Sequence, residues 1–357
     1  MSEQEGFNGT MAVQERHRFD SAALQRYMQQ HVAGFSGDLV VEQFKGGQSN
    51  PTYKLIAGGR QYVLRRKPPG KLLASAHAVD REYRVITALQ NTNVPVARTY
   101  ALCEDESVIG TAFYIMDCVD GRVMWDPSIP GSNPAERAAI FDEMNRVIAA
   151  LHSVDYKAIG LAEYGKPGNY FARQLDRWSK QYRASETESI PAFERLIEWL
   201  PVHIPPGDET SIVHGDYRLD NMIFHPTEPR VLAVLDWELS TLGHPLADFA
   251  YHVMTWHIPK GVFRGLGGAR LAELGIPSEA DYVATYCRRT GRGAIDPSHW
   301  DFYMAYNLFR LGAILQGIMG RVKDGTAASK QAENMGRAAG PLAELGWQQV
   351  EKILARK

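Results

Sequence analysis

The sequence predicts an α+β protein built in two parts, a small antiparallel sheet carrying one helix and a larger, mainly helical remainder. Three observations predict it. Early β-branched and aromatic runs are broken by glycine pairs at 46–47 and 58–59. The periodicity changes from two to 3.6 beyond a turn at Asp120–Gly121. After that turn most apolar positions recur at helical spacing.

In chain order, residues 1 to about 20 show no periodicity and read as a loose arm. From Ser21 to His31 the spacing of Ala22, Leu24, Tyr27 and Met28 suits a short helix capped by Asp20 or Ser21. "LVVEQF", "PTYKLIA" and "RQYVLRRK" read as strands joined by hairpins. A helix follows at roughly Ser75 to Gln90, with Val79, Tyr83, Ile86 and Leu89 on one face. "TAFYIMDCVDG" is a strand running into a connector near 117–121, which divides a first part (21–117) from a second (118–357). Helical pattern then appears at 135–151, 170–183, 192–199, 279–290, 298–320 and 328–355, with two short strands, "NMIFH" and "RVLAVLD", between them.

Length and composition exclude several classes. A chain of 357 residues with 45% hydrophobic and 22% charged residues can bury a sizeable core. A net charge of −2 gives no field directed at nucleic acid or an acidic membrane surface. Cys103, Cys118 and Cys287 lie far apart without metal-ligand spacing, which argues against a disulfide framework or structural zinc. No apolar run reaches the length of a membrane span, and MSEQEGFNGT lacks the regions of a signal peptide, so a cytoplasmic location is expected.

The sharpest pattern is His214-Gly215-Asp216-Tyr217-Arg218-Leu219-Asp220-Asn221, followed by Leu235-Asp236-Trp237-Glu238. Phosphoryl transfer needs an acceptor for the proton of the attacking hydroxyl and ligands that hold Mg²⁺ against the phosphates. Asp216 and Asn221 end one short loop, at the spacing of the protein-kinase H-R-D-x-x-x-x-N loop. A turn at Pro226–Pro229 returns the chain so that Asp236 falls close to Asn221. One carboxylate and one amide oxygen suit hard Mg²⁺, which also takes phosphate and water oxygens.

H-G-D-x-x-x-x-N followed by an apolar run and D-W-E resembles the aminoglycoside phosphotransferase and choline kinase superfamily. "GGQSNPTY", "YVLRRKPPGKLL", "SAHAVDREYRVITAL" and "LDWELSTLGHPLADFAY" resemble in particular the kinase-like domain found fused to acyl-CoA dehydrogenases. The likeness runs over about residues 35 to 325, and the sequence closes soon after with no dehydrogenase portion. It implies a two-lobed protein-kinase-like fold and an ATP-Mg-dependent small-molecule kinase, with a functional link to an acyl-CoA dehydrogenase. It makes Asp216 the catalytic base, Asn221 and Asp236 the metal ligands, His214 a brace for the loop and Asp248 a structural residue that orients it. The segment around Met116, Asp117 and Val119 matches the hinge, whose backbone would bind the adenine edge.

Gly46-Gly47-Gln48-Ser49-Asn50 is, from sequence alone, better read as a plain hairpin turn. The resemblance makes it the loop over the phosphates, with Gly47, Ser49 and Asn50 as donors. On the next strand Val63 and Arg65 share a face, so Val63 would pack on adenine while Arg65 reaches the phosphates. Lys67 falls on the same face and remains a rival. Protein kinases use Lys here, and Arg keeps the role chemically sound. Glu82, seventeen positions after Arg65, matches the acidic partner of that cation; the alternative is an exposed helix carboxylate beside Arg81 and Arg84.

From Thr255 onward fourteen Lys and Arg face nine Asp and Glu, the reverse of what a polycationic aminoglycoside would need. An anionic acceptor is favoured, a hydroxy acid or hydroxyacyl-CoA by association with the dehydrogenase fusions; a merely solvated face is the alternative. Arg310, inside the apolar "DFYMAYNLFRLGAILQGIMGRV", is expected to pair with a structural carboxylate or to clamp the acceptor's anion. His252, Trp256 and His257 are candidate pocket-rim residues. The competing readings are an antibiotic-resistance kinase and a catalytically silent module that binds nucleotide or a partner protein. The silent module predicts loss of Asp216, Asn221 or Asp236, all of which are present.

Overall fold

A computed structural model describes residues 9–45, 50–68, 78–325 and 330–356. Gly46, Gly47, Gln48, Ser49 and the start of the helix expected from Ser75 lie outside the described residues. Thr10–Met11 (β1) precedes helix α1 (Ser21–His31), strands β2 (Val40–Phe44), β3 (Thr52–Ala57) and β4 (Arg60–Arg66), and α2 (Val79–Leu89). Strands β5 (Thr99–Cys103) and β6 (Phe113–Asp117) follow, then helices α3 (Pro134–His152), α4 (Tyr170–Ser185) and α5 (Pro191–Trp199). Four short strands come next: β7 (Ser211–Val213), β8 (Met222–Phe224), β9 (Val231–Val234) and β10 (Thr241–Gly243). Helices α6 (Pro245–Val253), α7 (Leu271–Leu274), α8 (Glu279–Thr290), α9 (Pro297–Lys323), α10 (Lys330–Gly336) and α11 (Ala339–Ala355) complete the chain.

The chain divides into two compact units. One takes residues 1–123, 157–164 and 221–240; the other takes 124–156, 165–220 and 241–357. Where the sequence places everything after residue 118 in the second part, two later segments therefore return to the first. Backbone pairing explains this: Val234 N donates to Pro95 O at 2.9 Å, and Arg122 and Phe224 exchange two hydrogen bonds of 2.8 Å.

In the first unit six antiparallel strands pair in the order β1-β2-β3-β4-β6-β5. Strand β1 draws part of the segment expected as a loose arm into the sheet, Thr10 opposite Phe44. Helix α1 begins where Asp20 accepts from the amides of Ala22 and Ala23 at 2.9 and 3.0 Å. Its Leu24 and Met28 join Tyr53, Leu55, Tyr62, Leu64, Phe113 and Ile115 in the core on one sheet face. The alternate residue Tyr114 turns to the other face, where its hydroxyl donates to Glu82 of α2. Cover on both faces is why "FYIM" reads as an unbroken apolar run.

The second unit is organised on α9, most of which is buried and against which α4, α6, α10 and α11 pack. It contains the pair β7–β10, which the sequence did not signal because each strand has only three residues. The helix expected over 328–355 is two helices, and Gly336, at the end of α10, lies so close to Met319 that a Cβ would stand 2.8 Å from its side chain. Among the described residues no helix is long and apolar enough to cross a membrane.

Gly121 is the tightest point of the Arg122–Phe224 bridge, since a Cβ there would lie 2.2 Å from Phe224 O and 2.6 Å from Ile223 Cγ2. Gly121→Ala should destabilise the first unit by about 1–3 kcal/mol through this overpacking. Calorimetry should show a lowered unfolding midpoint.

Candidate functional site

In the first unit the pleat of β4 sets the electrostatics. Arg66 points one way, 2% exposed, donating to His17 O at 2.9 Å and lying over the rings of Phe19 and Tyr53. Arg65 points the other way into a cluster of three carboxylates. Its Nε lies 3.0 Å from Glu82 Oε2, and its Nη2 lies 2.8 Å from Asp236 Oδ1 and 3.3 Å from Glu238 Oε2. Lys67 lies one residue past the strand, its amide bonded to Ala112 O at 3.1 Å, and among the described residues the ion pairs of this cluster are made by Arg65.

Glu82 is 1% exposed and held on three sides: Arg65, Asn50 Nδ2 at 3.0 Å and the Tyr114 hydroxyl at 3.1 Å. Burial pushes its carboxyl up, to about 7, against the pull of Arg65, and the nearby Asp236 and Glu238 add to the rise. Burial also works against the Arg65 charge, but Glu82, Tyr114, Asp236 and Glu238 outweigh it and hold the guanidinium above its ordinary value. Asn50, expected to face a phosphate, instead has its buried side-chain amide bonded to Glu82. Gly47 and Ser49, expected beside it, lie outside the described residues.

The β8–β9 hairpin positions the metal-ligand candidates. Met222 pairs with Val234, and Leu235 N donates to Asn221 O at 2.8 Å, so Asn221 stands across the ladder next to Asp236. Asp236 has φ of +63°, a left-handed conformation that costs an aspartate of order 1 kcal/mol. Trp237 clamps the turn, 1% exposed, with its Nε1 on Val234 O at 2.9 Å.

Among the described residues, three carboxyl groups meet one guanidinium, that of Arg65, beside Asp236. One carboxylate and one amide oxygen there fit a divalent oxygen-seeking cation such as Mg²⁺, which draws its remaining ligands from phosphate and water. Among the described residues no group of three or more His, Cys, Asp or Glu is arranged to hold a metal unaided.

Of the expected hinge residues, Met116 pairs with Val63 and Asp117 with Tyr62 across β4–β6. The amides of Asp117 and Cys118 are already bonded to Arg98 O at 2.8 Å and Gln61 O at 3.3 Å. Val119 carries the first amide beyond that ladder.

In the second unit β7 delivers the loop that begins at His214. The Asp248 carboxylate receives the amides of His214 at 2.7 Å and Gly215 at 2.8 Å. Behind it His152 Nε2 lies 3.1 Å from Asp248 Oδ2, both side chains 1% exposed. Burial opposes the Asp248 charge, but His152 and the loop amides outweigh it and keep the carboxyl below its ordinary value. His214, fully buried, accepts the Asp216 amide on Nδ1 at 3.2 Å. Gly215 takes φ of +84°, which a side chain would resist.

Asp216 emerges from this frame with its carboxylate held at both oxygens. The Tyr251 hydroxyl donates to Oδ1 at 2.7 Å, and Arg218 Nη2 lies 3.1 Å from Oδ2. The same Arg218 nitrogen lies 3.3 Å from Asp220 Oδ2, which Arg264 also binds. Tyr251, Arg218, Asp220 and Arg264 line a cavity otherwise walled by Trp125, Phe141, Met144, Met254, Trp256 and Phe263. Of the expected rim residues Trp256 and His252 border it, whereas His257 pairs with Glu279 at 2.9 Å. His252 is a core residue, pushed down to about 4 by burial and bonded to the Tyr282 hydroxyl at 2.8 Å.

Arg310 bears out neither expectation: its Nη2 donates to Gly215 O at 2.6 Å, and its guanidinium lies over the Tyr251 ring at 4.8 Å and the Trp178 ring at 5.6 Å. The sequence reading missed Tyr251, Arg218, Arg264, Glu238 and His152. Tyr251 follows Asp248 by three residues on α6, and Arg218 sits inside the H-G-D-x-x-x-x-N loop, so both had a positional signal.

Residues 40–306 match the phosphotransferase enzyme family. The chain is 47% identical over 345 residues to acyl-CoA dehydrogenase family member 10 of Mus musculus, covering 96% of this chain and 32% of that protein. It is 44% identical to family member 11 of Rattus norvegicus, covering 97% of this chain and 45% of that one. The chain thus spans less than half the length of these relatives. Among solved structures, a Ralstonia eutropha JMP134 protein with a provisional assignment as an aminoglycoside phosphotransferase shares 63% identity and a TM-score of 0.88, covering 94% of this chain and 99% of that one. Choline kinase of Cryptosporidium parvum Iowa II, at 11% identity with a TM-score of 0.66 and 94% of this chain covered, shares the fold. This protein belongs to the phosphotransferase enzyme family.

Proposed function

We propose that the protein is an ATP-dependent small-molecule kinase in which Asp216 is the base for a hydroxyl acceptor. The observation that carries this reading is the Asp216 carboxylate, held at both oxygens by two residues, Tyr251 and Arg218, that themselves line an aromatic and aliphatic cavity. In this step the acceptor's O–H proton passes to Asp216 and its oxygen bonds to the γ-phosphorus. The bond to the β–γ bridging oxygen breaks, ADP leaves, and Asp216 returns the proton to solvent. On the nucleotide side Arg65, braced by Glu82, serves the phosphates, Val63 and the Met116–Val119 segment serve the adenine, and Asn221 and Asp236 would hold Mg²⁺. That ion, when bound, neutralises charge on the phosphate oxygens.

Arg218 and Arg264 beside the cavity favour an anionic group over a polycation. A hydroxy acid or hydroxyacyl-CoA meets this condition, and the relatives are named as acyl-CoA dehydrogenase family members. The test is to incubate the protein with ATP-Mg and three acceptor pools: aminoglycosides, choline-like amino alcohols, and hydroxy acids with their CoA esters. Mass spectrometry should find a phosphorylated product in the last pool; a product only among the aminoglycosides would overturn the acceptor assignment.

Two substitutions probe the machinery. Asp216→Ala should cut transfer by about 10²–10⁴-fold, the usual worth of a general base, while calorimetric titration shows ATP-Mg affinity nearly unchanged. Asp236→Gly should weaken the Mg²⁺ dependence of nucleotide binding without lowering the thermal midpoint. Glycine relieves left-handed strain of order 1 kcal/mol at that position, which offsets the roughly 0.4–1 kcal/mol that its freer unfolded chain costs.

A further inference from the structure

Arg310 poses a physical question. It is 6% exposed, and taking a guanidinium out of water costs several kcal/mol unless opposite charge compensates. Its bonded partner is the Gly215 carbonyl, it is flanked by two aromatic faces, and among the described residues its Nε is buried without a hydrogen-bond acceptor. Asp216 supplies negative charge acting on it through space.

The geometry around Gly215 and Asp216 shows what this cation does. Three anchors set the backbone there: Asp248 on Gly215 N, Arg310 on Gly215 O and His214 on Asp216 N. A fourth sets the side chain, since the Tyr251 hydroxyl donates to Oδ1. The ring of Tyr251 lies against the Arg310 guanidinium, so the phenol sits in a positive field that strengthens it as a donor. The other oxygen, Oδ2, faces Arg218, whose charge Asp220 already shares.

We propose that Arg310 and Tyr251 are a positioning pair for the base: together they orient Asp216, committing Oδ1 to Tyr251 and assigning the acceptor's proton to Oδ2. This rests on the reading of Asp216 as the base. Neither residue touches the reacting atoms; both act through Asp216.

The test needs no acceptor. Asp216 is followed in protein labelled with ¹³C at the aspartate carboxyls, its signal identified by its loss in Asp216→Asn. Among the described residues, the charged and titratable groups that face it include Arg218, Arg310, Tyr251 and His214, with Asp220 and Arg264 beyond Arg218. A donor to a carboxylate favours the ionised form, so its removal raises the titration midpoint. Tyr251→Phe should raise the Asp216 midpoint by about one pH unit, a tenfold gain in proton affinity. Arg310→Met should raise it at least as far; if that variant does not fold, Tyr251→Phe alone decides. A midpoint in Tyr251→Phe that stays at the wild-type value overturns the proposal. The base assignment is judged separately, since transfer retained by Asp216→Asn would sink that reading whatever Tyr251→Phe shows.

Discussion

The second unit depends on one carboxylate. Asp248, 3% exposed, receives two consecutive amides of the loop that carries Asp216, and this pairing turns a flexible H-G-D tripeptide into a fixed mount. Hydrogen bonds to a charged, buried acceptor are worth roughly twice neutral ones. The carboxylate tolerates burial because His152 and both amides share its charge. His152 in turn bonds the Tyr286 hydroxyl at 2.7 Å, which ties the loop to α8 through α3 and α6. Everything the loop presents inherits its geometry from this anchor.

The first unit solves a different problem around Arg65. Among the described residues the carboxylates there outnumber the one cation. Glu82 shows it directly, its carboxyl raised by burial and by its acidic neighbours despite the adjacent guanidinium. The left-handed backbone at Asp236 is a strained feature at the same place. Strain of this kind persists only where the surroundings enforce it, as the anchored Trp237 and the β8–β9 ladder do here.

Much of this was legible in the sequence because it is local. Strand alternation alone separated Arg65 from Arg66, and the turn between "MIFH" and "VLAVLD" alone returned Asp236 beside Asn221. Helix α1 and its cap followed from Asp20 and the apolar spacing. What was not legible depends on distant pairing. Asn50 looked like a phosphate donor because nothing in its neighbourhood reveals Glu82, 32 residues away. Arg310 was expected to meet a carboxylate, and its actual partner is a backbone carbonyl 95 residues earlier, which no side-chain pattern encodes. The three-residue strands β7 and β10 are too short to show periodicity.

The charges at the cavity bear on the acceptor more closely than the overall excess of Lys and Arg after Thr255. Asp216 and Asp220 face Arg218 and Arg264, two negative groups against two positive ones, already joined through Arg218 Nη2 and Asp220 Oδ2. A polycation entering here would find both carboxylates committed and two guanidiniums opposing it. An anion would find two guanidiniums, one of them, Arg264, stacked over Trp125 and partly exposed. To bind, it must exchange with Asp220, so its net gain is the difference between two ion pairs rather than a full one. Such an exchange gives little raw affinity, so on the proposed reading the quartet would select the sign of the ligand's charge rather than set how tightly the ligand binds.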